Sequence, residues 1–84
     1  MTKTIDAVRA GFFISTTDGG LEFKPRSLGV GVVVCSVVQL KARGEPWMSV
    51  WTAPGTDAEE RFRIEARPLA ANLGRALGCP VLID

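Results

Sequence analysis

The sequence predicts an α+β fold: an antiparallel sheet of four or five strands with one C-terminal helix packed on one face. Three stretches carry that prediction. "FFISTTDGGLEFK" sets an Asp-Gly pair between two β-prone runs, the strongest short-range hairpin signal. "LGVGVVVCSVVQLK", residues 28–41, is dense in valine, whose branched side chain suits a pleated surface. "PLAANLGRALG" spaces Leu69, Leu73, Ala76 and Leu77 along a helical stripe and stops at Gly78. The 84 residues make a single small domain, 1–84, and a domain of that size buries only about 60% of the surface its unfolded chain exposes.

Taken in order, residues 4–11 read in two ways. They are a short helix, with Ile5 and Val8 three apart and Gly11 as a stop, or a lead into a strand. Residues 12–16 and 21–24 pair around Asp18, Gly19 and Gly20. Pro25 and Ser27 break the pattern, and 28–41 follows as a central strand. "ARGEP" is a loop, 47–53 the next strand and "PGTD" a turn. "EERFRIEAR" alternates, with Phe62, Ile64 and Ala66 on one side and Arg61, Arg63, Glu65 and Arg67 on the other, which predicts a strand with one solvated face. Pro68 suits the first turn of the helix after it, and "CPVLID" closes as a small edge strand with Pro80 at its start.

Composition removes most chemistry. Ten Lys and Arg against nine Asp and Glu give a net charge of +1, so no global field draws the chain to nucleic acid or an anionic membrane. The chain has no histidine, and with it go the usual general base near neutral pH and the commonest transition-metal ligand. Cys35 lies in an apolar run and Cys79 follows a helix C-terminus, the wrong end of the dipole for a thiolate. Two cysteines so far apart make no zinc site; both read as small core residues, reduced in a cytoplasmic protein. "GVGVVV" begins like a dinucleotide fingerprint but lacks the third glycine and enters a strand where that motif needs a helix. Glu59 and Glu60 fall on opposite sides of a strand, and Asp57 is a turn residue. The valine run is shorter than the ~20 apolar residues of a membrane span, and no long apolar segment follows Lys3. No catalytic residue, cofactor or metal is expected.

What remains is surface. If "ARGEP" is a five-residue hairpin loop, Lys41 pairs with Trp47, Gln39 with Ser49 and Val37 with Trp51. One face then carries Val30, Val32, Val34, Val38, Leu40, Met48 and Val50, the natural seat of the helix. The other carries Val33, Cys35, Val37, Gln39, Lys41, Ser49, Trp47 and Trp51, large aromatics among polar groups, which is the composition of a protein interface. A loop one residue shorter turns both tryptophans into core, and an N-terminal helix would cover the second face with Ile5, Val8 and Phe12.

The reading is a non-enzymatic module that binds a partner protein, or its own copy as a homodimer, through Trp47, Trp51, Val37, Val33, Gln39 and Lys41. The alternative is nucleic-acid binding through the row Arg61, Arg63 and Arg67, which Glu59 and Glu65 on the same face oppose. In size and composition alone, the chain resembles small accessory proteins of phages and mobile elements, including anti-CRISPR inhibitors. That resemblance implies inhibition of a host complex by occlusion.

Overall fold

The computed structural model describes residues 4–26 and 31–83. The β-prone runs form β1 (Ile5–Ser15), β2 (Leu21–Lys24), β3 (Val33–Ala42) and β4 (Trp47–Pro54), and β5 (Val81–Leu82) closes the sheet. The order is β2-β1-β3-β4, each neighbour antiparallel, with β5 added parallel to β1 along the edge that β2 also uses. This is the expected α+β architecture. Of the expected central strand 28–41, residues 28–30 lie outside the described residues, and Gly31 and Val32 precede β3.

Residues 5–11 are strand, not helix. Asp6 is an extra residue in β1, since Ile5 pairs with Ala42 and Ala7 with Lys41. The bulge changes the strand's phase and puts Ile5 and Val8 on the same side, which mimics the three-residue spacing of a helix. Beyond it the chain alternates, with Val8, Ala10, Phe12 and Ile14 all buried. The β1–β2 hairpin pairs Phe13 with Phe23 and Ser15 with Leu21, as the Asp-Gly signal implies. Its turn is closed by the Gly19 N–H on the Thr16 carbonyl at 3.1 Å and the Thr16 N–H on the Gly20 carbonyl at 2.9 Å. The Thr16 hydroxyl and the Gly20 N–H hold the exposed Asp18 carboxyl below its ordinary range.

The expected strand over "EERFRIEAR" is instead helix. α1 (Ala58–Arg61), a π-helical segment (Phe62–Ala66) and α2 (Arg67–Leu77) run on without a break and end at Gly78. Ala58, Phe62, Ala66 and Ala70 are buried at intervals of four. In an α-helix each four-residue step overshoots a full turn by about 40°, so this stripe would spiral off the sheet. The wider turn, closed by the Arg67 N–H on the Phe62 carbonyl, takes up the drift. The two-residue alternation misleads because Ile64 is 54% exposed. Pro68 stands inside the helix, not at its start. It has no N–H for the Ile64 carbonyl and its ring crowds that carbonyl, so the widened turn just before it relieves both problems.

The helix packs on one face, where Val8, Ala10, Phe12, Ile14 and Val38 meet Ala58, Phe62, Ala66 and Ala70. The Phe12 and Phe62 rings lie 4.8 Å apart. Leu69, Leu73 and Val81 close the margin. Gly74 is where the helix touches β5, and a Cβ there would overlap the Val81 Cγ2 methyl. On the same side the Ser36 hydroxyl is fully buried and meets no hydrogen-bond partner.

Candidate functional site

Strand register decides which side chains occupy the sheet face away from the helix. Lys41 pairs with Trp47 and Gln39 with Ser49, as expected, but Val38 pairs with Trp51 and Val37 with Thr52. Val50 is therefore an extra residue in β4, and beyond this bulge the strand changes phase. Trp51 turns to the helix side and packs against the core, with the Arg61 guanidinium 5.5 Å from its ring centre. A third bulge, at Val34, makes Val33 the partner of Ile14 and sends it to the helix side as well. The expected pairing of Val37 with Trp51, and the shared face for the two tryptophans, do not hold.

Of the six residues expected to bind protein, Trp47, Val37, Gln39 and Lys41 share the open face, while Trp51 and Val33 are on the other. Val37 is 0% and Gln39 4% exposed, so neither offers surface to a partner. The Lys41 ammonium folds onto the hairpin tip, donating to the Ala42 carbonyl at 3.1 Å and to the Glu45 carbonyl. Trp47 is the residue of the six that presents a large half-buried ring on this face.

The cover over Val37 comes from side chains of the face itself. Gly11 lies beside Val37 on β1, and its lack of a side chain admits the Phe23 ring: an added Cβ would stand 2.6 Å from Phe23 Cζ. The Arg9 guanidinium is sandwiched, 3.7 Å from the Phe23 ring centre and 4.2 Å from that of Trp47. Phe13 continues the row edge-on to Phe23, with centres 6.2 Å apart. Arg9 Nε donates to Gln39 Oε1 at 2.7 Å, and Gln39 Nε2 donates to Ser49 Oγ at 3.1 Å, which fixes the guanidinium in plane. Partial burial pushes the Arg9 pKa down from its ordinary value, though an arginine stays charged. Among the described residues no carboxylate pairs with it. The two rings and Gln39 hold the guanidinium ordered on this face.

Arg9, Phe13 and Phe23 are the site residues that sequence reasoning missed. Their signal was the alternation Ala7, Arg9, Gly11, Phe13, readable once 5–11 is taken as strand, together with the Phe13–Phe23 pairing that the hairpin implies. An N-terminal helix covering this face with Ile5, Val8 and Phe12 is not what forms; Val8 and Phe12 belong to the opposite core.

The arginine row is not a row. On a helix, residues two apart point in different directions, so Arg61 and Arg63 diverge. Arg61 Nε donates to Glu65 Oε2 at 2.6 Å, a pair that raises the arginine pKa and lowers that of the carboxylate. Arg67 lies over the Phe62 ring, 5.9 Å from its centre. Cys35 and Cys79 are free thiols, half-buried, and burial raises the Cys35 pKa, away from the reactive thiolate. Among the described residues no three His, Cys, Asp or Glu cluster as metal ligands, and no helix is long and apolar enough to cross a membrane. No protein-family model matches the chain, and no curated protein or solved structure is significantly similar to it.

Proposed function

We propose that this chain is a non-enzymatic, cytoplasmic protein-interaction module whose open sheet face receives a partner protein, with Trp47 and Arg9 as its anchors. One observation carries the reading: the helix covers a single face, and the other displays a Trp47–Arg9–Phe23 stack held in place by Gln39. Tryptophan and arginine are the residues most enriched where truncation costs binding energy. Around the stack, Leu21, 59% exposed, and the exposed Ser49 and Thr52 supply the mixed rim of such a surface. The mechanism is occlusion of the partner's surface, or assembly if the partner is a second copy.

The test is affinity capture with the wild-type chain, Trp47→Ala, Arg9→Ala and, as control, Leu77→Ala on the exposed side of the helix. Light scattering over a wide concentration range runs beside it. A partner, or a dimer, that is lost with the first two variants and retained by the control supports the reading. Partners captured equally by all four chains overturn it.

A further inference from the structure

We propose that Arg9 anchors a binding site for a small apolar carboxylate, seated in the groove between β2 and β5. The groove is lined by Arg9, Phe23, Pro25, Leu82 and Ile83, is open to solvent and has a volume of about 330 Å³. That volume lies at the lower end of the range of roughly 300–1,000 Å³ typical of small-molecule sites.

The guanidinium dictates the ligand's charged end. Phe23 and Trp47 block its two faces, and Gln39 takes the Nε proton. The two terminal amino groups meet no acceptor among the described residues. Arg9 lines the groove, and the two parallel N–H donors on its terminal edge match the two oxygens of a carboxylate. The rings also keep water from the faces, which strengthens a charge-assisted bond at the edge.

The walls dictate the rest of the ligand. Phe23, Pro25, Leu82 and Ile83 offer no charge and no side-chain hydrogen bond, and Leu82 is 54% exposed, so it gains cover from an apolar body. A compact, heavily hydrated anion such as phosphate would satisfy Arg9 but leave those walls wet. An apolar monocarboxylate satisfies both. This inference shares Arg9 and Phe23 with the protein-partner reading but does not rest on it, since its ligand is small and needs no second chain.

The test uses 3-phenylpropionate as probe and 3-phenylpropionamide as its uncharged twin, titrated into the full chain while methyl NMR shifts of Leu82 and Ile83 are followed. Saturating shifts are expected with the acid, and at least about tenfold weaker binding with the amide, the worth of one charge-assisted hydrogen bond. Inorganic phosphate is expected to leave both methyls unmoved. Arg9→Met should abolish the acid's preference over the amide. Gln39→Glu, nearly isosteric, places a carboxylate against Arg9 within the fold; it is expected to weaken the acid about tenfold while the methyl spectrum stays native, so loss of binding can be separated from loss of fold. Absence of any shift at Leu82 and Ile83, equal affinity for acid and amide, or undiminished binding in Gln39→Glu overturns the proposal.

Discussion

Replacing Gly11 by alanine is expected to expel the Phe23 ring from the open face, and the cost can be worked out from the contacts. The new Cβ would lie 2.6 Å from Phe23 Cζ, 2.9 Å from its Cε2 and 2.5 Å from the Lys24 carbonyl oxygen. Moving the ring forfeits its edge contact with Phe13, about 0.5–1.5 kcal/mol, and its stacking on Arg9, about 0.5–2 kcal/mol. Overlap with the backbone of β2 adds roughly 1–3 kcal/mol, and the strand preference of alanine over glycine returns about 0.5–1 kcal/mol. The net loss is about 3 kcal/mol, which for a domain of this size lowers Tm by roughly 12–24 °C. In a Phe23→Ala background the two ring contributions are already gone, so Gly11→Ala there is expected to cost only about 1 kcal/mol. Urea unfolding of the wild type, both single variants and the double variant reads the difference. If Gly11→Ala costs the same in both backgrounds within about 0.5 kcal/mol, the Phe23 ring does not depend on Gly11 and the account of how this face is covered is wrong.

Other measurements test other parts of the structure. Trp51→Ala removes a ring packed on the core and is expected to lower stability by about 2–4 kcal/mol, against about 1 kcal/mol for Trp47→Ala; the opposite ranking in urea would refute the Val50 bulge. Ser36→Ala deletes a fully buried hydroxyl that has no partner and is expected to raise stability by about 1 kcal/mol, whereas a loss would mean the hydroxyl is bonded. Asp18 has its pKa lowered on folding, so its contribution is present above the ordinary carboxylate range and is lost as pH falls through the depressed value. The urea midpoint should therefore drop on acidification, and drop less in Asp18→Asn; identical pH profiles for the two chains would remove Asp18 from the turn's energetics.

The elements governed by local chemistry are legible in the sequence. The Asp18-Gly19 turn, the five-residue tip over "ARGEP" and the stop at Gly78 each follow from a few neighbouring residues, and each forms where it is expected. Phase along a strand is different, because one extra residue reverses every side chain beyond it and leaves little local trace. Asp6, Val34 and Val50 are three such residues. They hide β1 as a helix-like spacing, move Val33 off the open face and separate Trp51 from Trp47. The helix over 58–66 is hidden for a related reason. Its buried residues recur every four positions, but Phe62, Ile64 and Ala66 also recur every two, and Pro68 resembles a beginning. Only packing against β1 and β3 chooses between those periods. The Arg9 stack draws on three strands distant in sequence, so no single window contains it.

The extra residue at Val50 also bears on how this chain can change over generations. It divides β4 into a root, where Trp51 and Ala53 face the helix side and Thr52 the open face, and a tip, where Trp47 and Ser49 face the open face and Met48 the helix side. The two stretches obey opposite parities. Substitutions at the exposed Ser49 and Thr52 therefore cost the fold little, while those at the inward-facing Trp51 and Ala53 strike the core. A single deletion at position 50 would remove the bulge and leave a regular ladder, with Trp51 still opposite Val38 on the helix side and Ser49 still opposite Gln39 on the open face. The bulge is thus the point in β4 at which the odd-numbered side chains pass from the open face to the helix side.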